Sequence, residues 1–204
     1  MSRKSSLNQI FEVENEYSIQ FIKASGDCLY DCLVEGFRSL NLEIEEFPGV
    51  INLPGDSDIQ ALRRTVSENI TDEDFANFQE FFAAGLSDFS FMKRCREKQD
   101  LQDRMLVCGK GAGAGHCIWA NEFEIGVLCN KLGLSCLIVD MQASSLDSRF
   151  ISVQPSSSES EWFILLQRTR REHYNLIKYQ EKALMKFDDL PEEVKLKWKL
   201  AKKD

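Results

Sequence analysis

One short segment, residues 25–31 with the sequence S-G-D-C-L-Y-D, constrains this chain more than any other part of it. Its Ser, Gly and Asp residues favour a turn. From Leu29 to Leu40 the apolar residues recur at helical spacing. Cys28 is therefore expected at the start of a helix, where free backbone N–H groups and the positive end of the helix dipole favour a thiolate. The segment predicts a reactive cysteine that needs a base.

Length and composition limit the classes of protein to which the chain can belong. Its 204 residues suit one domain, and a hydrophobic share of 43% supports a sizeable core rather than disorder. The formal net charge of −8 argues against nucleic-acid binding and favours a basic protein partner. No run approaches the roughly 20 apolar residues of a membrane span, and the first residues lack the apolar core of a secretory signal. A monomer is the default expectation.

The cysteines indicate a reducing compartment. There are seven, an odd number without the spacing of a disulfide framework, so we expect reduced thiols and a cytoplasmic protein. Cys28 and Cys32 are four residues apart, but no second close pair of Cys or His follows, and the chain has only two histidines. We therefore expect neither a structural metal site nor a cofactor.

The sequence pattern divides the chain into three parts. We expect a flexible N-terminus at 1–12, a catalytic domain at 13–180 and a helical extension at 181–204. Within the domain, a short strand at 17–23 precedes the cysteine segment, and the stretch 58–107 is helical.

Two helices are predicted at the start of this helical stretch. Asp58 is expected to cap the first. Thr71 opens the second with a capping-box pattern that Asp74 closes. Four phenylalanines share one face of the second helix, and we expect that face to lie in the core. They are Phe75, Phe78, Phe81 and Phe82.

A glycine-rich segment follows at 109–116. It lacks the pattern of a phosphate-binding P-loop, because its Lys precedes the glycines and no Lys-Ser or Lys-Thr follows. We therefore expect a mobile loop. A helix is then predicted at 119–132, and strands are predicted at 134–140, 149–153, 162–166 and 173–179. The Ser-rich turn at 155–160 predicts a hairpin between the strands on either side of it.

A thiol nucleophile needs an imidazole within hydrogen-bond reach and a third group that orients the imidazole. The base is His173 or His116, the two histidines of the chain. His173 begins a predicted strand, which is a rigid mount, whereas His116 follows several glycines. Residues two apart on a strand point to the same side, so Asn175 is placed to orient His173. From the pattern alone, a buried cysteine and a surface histidine form a competing interpretation.

Three motifs resemble those of the ovarian-tumour (OTU) family of deubiquitinating cysteine proteases. The sequence S-G-D-C-L-Y-D-C-L at 25–33 resembles the family's D-G-N-C-L-F-R-A motif. W-A-N-E-F-E-I at 119–125 is similar to its W-G-G-x-x-E-L segment, and H-Y-N at 173–175 resembles its closing H-Y-D/N motif. The motifs follow the family's order, in matching helix and strand contexts, and the resemblance spans residues 17–179.

The resemblance implies an α+β fold of the papain-like, OTU type, with a small β-sheet flanked by helices and a helical insertion. It implies hydrolysis of isopeptide or peptide bonds at the C-terminus of ubiquitin, with ubiquitin or polyubiquitin chains as the partner. Carried onto this sequence, Cys28 is the nucleophile, His173 the general base and acid, and Asn175 the orienting residue. The expected location is the cytoplasm, or the host cytoplasm if the chain is a pathogen effector.

The resemblance also assigns roles to the loops around this triad. Backbone N–H groups of Gly26, Asp27 and Cys28 would form the oxyanion hole. Trp119 would support the loop beside the catalytic histidine. The residues expected to border the channel for the diglycine tail of ubiquitin are Gly113, Gly115, His116 and Trp119.

The chain departs from the family pattern at two positions of the cysteine motif. Ser25 replaces the leading Asp, which puts the oxyanion-loop role of that residue in question. Asp27 replaces the common Asn, and its charge is expected to raise the pKa of the adjacent thiol. The stretch 58–107 is also longer and richer in Phe than a minimal member needs, so it is either an inserted ubiquitin-binding arm or additional core.

Three alternatives to a deubiquitinase stay open at this stage. The first is a ubiquitin-binding pseudoenzyme that keeps the fold and the recognition surface. The second is a papain-like protease that acts on a ubiquitin-like modifier or an ordinary peptide. The third is a structural helical protein, in which Cys28 is buried and inert.

Overall fold

One β-sheet with helices on both faces forms the protein, which confirms the predicted α+β fold class. The computed structural model describes residues 6–14, 16–112, 116–145, 148–156, 160–169 and 173–201. The helices are α1 (Ser6–Phe11), α2 (Cys28–Arg38), α3 (Asp58–Glu68), α4 (Asp72–Ala83), α5 (Lys98–Met105), α6 (Gly109–Ala112), α7 (Glu122–Leu132) and α8 (Glu192–Lys197). Short 3₁₀ helices lie at Ile44–Glu46, Ser87–Arg94 and Phe187–Asp189. The strands are β1 (Tyr17–Gln20), β2 (Leu134–Asp140), β3 (Phe150–Val153), β4 (Trp162–Thr169), β5 (His173–Tyr179) and β6 (Leu184–Met185).

The sheet has the strand order β1-β5-β4-β2-β3, and β6 pairs with the start of β4. β2 is parallel to β4 and antiparallel to β3, while β5 is antiparallel to both β1 and β4. Every residue of β2 is buried, as expected for a central strand covered on both faces. The predicted hairpin between β3 and β4 is wrong, because β2 lies between them and pairs with both.

Each face of the sheet has its own hydrophobic cluster. On one face, α2, α3 and α7 cover residues such as Ile164 and Leu176. On the other face, α1 and α8 cover residues such as Leu137, Leu165 and Ile177. The alternation of side chains along β4 and β5 therefore sends successive residues into different clusters. Within the described residues, no helix has the length and apolar character needed to cross a membrane.

Both ends of the described chain belong to the second cluster, which corrects two expectations. The predicted flexible N-terminus contains α1, and Phe11 is 2% exposed and stacks on Tyr17 with ring centroids 4.3 Å apart. The predicted helical extension at 181–204 contributes β6 to the sheet as well as α8. Trp198 packs against Phe11 and donates a hydrogen bond from Nε1 to the Ile151 carbonyl, 2.8 Å away. Burial of the second sheet face requires both segments, and the sequence pattern of neither one reveals this.

The helical stretch 58–107 is partly core and partly surface. The first helix is capped by Ser57 rather than Asp58, and the predicted capping box of the second is confirmed. The expectation that the whole phenylalanine stripe is core is wrong. Phe78 is 5% exposed, whereas Phe81 and Phe82 are 41% and 38% exposed. The reason is that α4 packs mainly on the 3₁₀ helix Ser87–Arg94, which covers only one side of it.

Candidate active site

Cys28 is the first residue of α2, at the N-terminal end of β5. The turn before it contains Gly26, whose φ of 96° lies in the left-handed region that glycine adopts without strain. The thiol is 3% exposed, and its Sγ accepts a hydrogen bond from the backbone N–H of Tyr174 at 3.4 Å. Because Tyr174 lies between His173 and Asn175, this contact brings the thiol to the predicted histidine segment, 146 positions along the chain.

The environment of the Cys28 thiol favours its protonated form. Burial raises the pKa of Cys28, and hydrogen bonds from the backbone N–H groups of Tyr174, Leu29 and Cys28 itself oppose that effect. The helix N-terminus thus acts in the predicted direction, but desolvation is the larger contribution. The carboxylate that also raises this pKa is Asp31. The contribution expected from Asp27 is not seen at Cys28, whereas at the Cys117 and Cys108 thiols burial raises the pKa and the Asp27 carboxylate raises it further.

His173 and Asn175 lie on one side of β5, as the strand spacing predicts. His173 Nε2 is 3.1 Å from Asn175 Oδ1, which also accepts a hydrogen bond from the backbone N–H of Ile22 at 3.0 Å. The Asn175 Nδ2 donates to Gln167 Oε1 at 3.1 Å. Gln167 is directly opposite Asn175 in the β4–β5 register and is buried. Asn175 is therefore held from three directions.

These contacts determine the tautomer of the histidine. A backbone N–H can only donate, so the Asn175 atom facing Ile22 is the amide oxygen. Nε2 of His173 must then donate to that oxygen. In the neutral imidazole, Nδ1 carries the lone pair and is the basic atom. Nδ1 is buried and has no hydrogen-bond partner among the described residues.

The residue before the cysteine is bound to a buried arginine. Asp27 and Arg63 are both 0% exposed, and Arg63 Nη2 is 2.7 Å from Asp27 Oδ1. The carboxylate also accepts hydrogen bonds from the backbone N–H groups of Gly109 and Lys110, at 2.9 and 2.8 Å. The negative charge at position 27 is thus compensated by Arg63 and by two backbone N–H groups. Ser25 is half-buried, and its Oγ is 3.4 Å from the Asp27 backbone nitrogen.

The glycine-rich segment is only partly described. Its start forms the short helix α6, not the expected loop, and it packs directly on the Ser25 backbone through Gly109. The predicted channel residues Gly113 and Gly115 lie outside the described residues. His116 is exposed.

Trp119 lines a cavity of about 570 Å³ that reaches Tyr174, the residue between His173 and Asn175. The cavity lies between the 3₁₀ helix Ser87–Arg94, the segment 117–122 and the ends of β2, β4 and β5. Its walls include Tyr174, Asp88 and Arg168. Arg168 is itself paired with Glu122 and Asp140, each at 2.9 Å. In the described part of the chain, no group of three or more His, Cys, Asp or Glu side chains is arranged to hold a metal ion.

Two residues of this site were missed from the sequence. Arg63 lies on the apolar face of the α3 pattern, between Ile59 and Val66, and an arginine at such a position is a signal of a buried partner. Gln167 was missed because the strand was predicted to end at Leu166, three residues before its observed end at Thr169.

Comparison with known proteins identifies the fold. No protein-family model matches the sequence, and no curated protein is detectably similar to it. A solved structure of an ovarian-tumour (OTU) domain in complex with ubiquitin has a TM-score of 0.50 at 16% identity, over 89% of this chain and 80% of that one. The chain has the fold of an OTU domain.

Two further OTU structures are similar to the chain. An OTU deubiquitinase from Wolbachia pipientis wMel has a TM-score of 0.47 at 11% identity, covering 84% of this chain and 94% of its own. The Hazara virus OTU bound to ubiquitin has a TM-score of 0.44 at 16% identity, covering 80% of this chain and 81% of its own. In the chain itself, Cys28 at the start of α2 contacts the backbone of Tyr174, which lies between His173 and Asn175 at the start of β5.

Proposed function

We propose that this protein is a deubiquitinase, which hydrolyses isopeptide or peptide bonds at the C-terminus of ubiquitin with a Cys28–His173–Asn175 triad. One observation carries the proposal. Asn175 Oδ1 accepts a hydrogen bond from His173 Nε2, so the buried Nδ1 of His173 is the basic atom. It lies at the start of β5, whose backbone also contacts the Cys28 thiol. The oriented base and the nearby thiol support a triad, because covalent catalysis requires a nucleophile, a base and an orienting group close together.

The reaction begins with a neutral thiol, since burial raises the pKa of Cys28. His173 Nδ1 takes the thiol proton as Sγ attacks the carbonyl carbon of the terminal glycine. Backbone N–H groups of the turn at 26–28 stabilise the oxyanion, with a contribution of roughly 3–4 kcal/mol per donor. The imidazolium then protonates the leaving lysine amine. A water molecule that gives its proton to neutral His173 hydrolyses the thioester, and Cys28 regains its proton.

The cavity beside Trp119 is the proposed channel for the ubiquitin tail. It adjoins Tyr174, the residue between His173 and Asn175, so a chain within it ends close to the thiol. Three carboxylates (Asp88, Glu122 and Asp140) and two arginines (Arg104 and Arg168) line it, so its formal charge is weakly negative. That charge suits the basic patch around the tail of ubiquitin.

The exposed rings on α4 are the proposed contact for the body of ubiquitin. Phe81 and Phe82 are solvent-accessible, and the acidic residues Glu80 and Asp88 lie near them in sequence. Exchange of both rings for serine should weaken ubiquitin binding at least tenfold, and it should lower the melting temperature somewhat, because Phe81 contacts the Phe89 ring. Phe75→Ser, on the same helix and partly buried, is the comparison that should lower the melting temperature without weakening binding by the folded protein. If binding is retained without the two rings, the stretch 58–107 is additional core and not a binding arm.

The decisive experiment uses ubiquitin with a C-terminal thiol-reactive group. Wild type should form a one-to-one covalent adduct, and the Cys28→Ala variant should not. Cys108→Ala is the matched control, because this half-buried thiol lies outside the proposed triad and its removal should leave the adduct intact. A folded wild type that forms no adduct would contradict the proposal.

The competing functions give different results in the same experiment. A pseudoenzyme binds ubiquitin without forming an adduct. A protease for another modifier reacts with the corresponding probe on a ubiquitin-like protein and not with ubiquitin. The proposed location is the cytoplasm. All seven cysteines lie in the described part of the chain and none forms a disulfide, which supports a reducing compartment.

A further inference from the structure

Arg63 is a charged side chain without solvent contact, and the triad does not account for it. Its guanidinium group lies 4.5 Å from the ring centroid of Tyr30. It donates three hydrogen bonds to backbone carbonyl groups. These go to Gly26 at 3.0 Å, Met105 at 3.1 Å and Ile118 at 3.2 Å. A buried guanidinium with this many partners joins separate parts of the chain at one point.

The parts that Arg63 joins are those that surround Cys28. Through Gly26 and Asp27 it holds the turn before the nucleophile, and through Ile118 it holds the segment that leads to Trp119. The Asp27 carboxylate extends the connection, because it accepts the first two backbone N–H groups of α6. The pair therefore links the turn, the tail channel and the glycine-rich segment.

The contact with Gly26 orients a specific peptide group. In a trans peptide the carbonyl and the following N–H point in opposite directions. Arg63 draws the Gly26 carbonyl inward, so the Asp27 N–H points away from Arg63. Among the described residues, that N–H has only a long contact of 3.4 Å, with Ser25 Oγ. A developing oxyanion is a stronger acceptor and would replace Ser25 Oγ.

We propose that Arg63 and Asp27 form a positioning pair that fixes the oxyanion hole of this enzyme. The inference rests on the proposed function. Neither side chain touches the substrate. Arg63 sets the direction of the Gly26–Asp27 peptide, and the Asp27 carboxylate keeps Arg63 in place and neutralises it. Aspartate at position 27, where the family motif has Asn, is in this chain the counter-ion of a buried arginine and not a sign of a decayed site.

The test compares two changes in the pair with two matched controls. Arg63→Lys keeps the charge but loses the planar fork of donors, and Asp27→Asn keeps the shape but loses the charge. Arg64→Lys and Asp56→Asn alter the neighbouring Arg64–Asp56 pair, which lies outside the site. The double variant Arg63→Gln/Asp27→Asn removes both charges, so it should fold even if a single variant does not. It cannot restore the contact with Gly26, because the glutamine side chain is too short.

The readout is binding of ubiquitin with a C-terminal aldehyde, compared with binding of unmodified ubiquitin. Addition of the Cys28 thiol to the aldehyde forms a C–S bond and moves the thiol proton to the new oxygen, which occupies the oxyanion hole. Substitutions in the Arg63–Asp27 pair should lower both the affinity for the aldehyde and kcat about 100-fold, comparable to loss of one oxyanion donor. KM, affinity for ubiquitin itself and alkylation of Cys28 by iodoacetamide should change less than threefold.

A purely structural role gives a different pattern. It would lower the melting temperature and, below that temperature, leave the ratio of aldehyde affinity to ubiquitin affinity as in wild type. That result, or an equal loss in the two control variants, would overturn the positioning role. If wild type itself shows no preference for the aldehyde, the proposed function fails, and the inference fails with it.

Discussion

Asn175→Ala tests the central relation of the site, because it removes one side chain that orders several others. The amide oxygen accepts hydrogen bonds from His173 Nε2 at 3.1 Å and from the Ile22 backbone at 3.0 Å. The amide nitrogen donates to Gln167 at 3.1 Å. Alanine makes none of these bonds, and water has little access to the space, since Asn175 is 3% exposed.

The expected loss of activity has two contributions. Without the amide, the imidazole can occupy roughly six rotamers instead of one, which costs about 1 kcal/mol. The hydrogen bond that stabilises the imidazolium during proton transfer is charge-assisted and contributes about 1.5–3 kcal/mol. Together they amount to about 2.5–4 kcal/mol and lower kcat by roughly 60- to 700-fold, at about 1.4 kcal/mol per factor of ten. Stability falls as well, because the buried Gln167 side chain loses its partner, at about 1–3 kcal/mol, and the half-buried Ile22 N–H loses its acceptor.

The assay is cleavage of a fluorogenic ubiquitin C-terminal amide, with kcat and KM measured well below the melting temperature. His173→Ala should lower kcat further than Asn175→Ala, because it removes the base itself. Gln167→Ala should have the smallest effect of the three, since it removes one bond to the orienting residue. A kcat for folded Asn175→Ala within threefold of wild type would refute the orienting role and the tautomer argument with it.

Three further predictions concern packing and ionisation. Gly109→Ala should lower the melting temperature and slow the probe reaction, because its Cβ would collide with the Ser25 carbonyl, whereas Gly126→Ala on α7 meets nothing within 4 Å and should be neutral or stabilising. Burial raises the pKa of Cys28, so its iodoacetamide alkylation rate should keep rising with pH beyond the range in which a free thiol is fully ionised, and a plateau near neutral pH would contradict this. Burial also raises the pKa of Glu124 from 4.5 to about 7. The folded state therefore favours the protonated acid, and this stabilisation is lost as the pH rises through 7. Between pH 4 and 8 the unfolding free energy of wild type, relative to that of Glu124→Gln, should fall by up to about 3 kcal/mol. Urea titration measures this free energy.

Features that depend on local sequence were predicted correctly. The helix after Cys28 follows from helical spacing, and the start of β5 at His173 follows from a short β-prone run. The position of Asn175 beside His173 requires only the two-residue period of a strand. These parts of the site need no knowledge of the rest of the fold.

Features that depend on tertiary partners were not predicted. The Ser-rich turn between β3 and β4 is typical of a hairpin, but the central strand β2 lies between them and pairs with both. The polar N-terminus predicts disorder from its sequence alone. In the structure, Leu7 and Phe11 pack on the second face of the sheet and order this segment. Phe81 and Phe82 match a buried stripe, yet the described residues leave them 41% and 38% exposed, although Phe81 contacts the Phe89 ring.

Position 27 shows why a departure from a motif has to be judged together with its spatial partner. Considered beside the thiol alone, an added carboxylate should hinder formation of the thiolate. In the structure it accepts hydrogen bonds from Arg63, Gly109 and Lys110, and it is fully buried. Because an isolated charge is rarely buried, Asp27 and Arg63 are best treated as one unit. Restoring asparagine at position 27 would leave Arg63 without its counter-ion, so we expect the family residue to impair this chain.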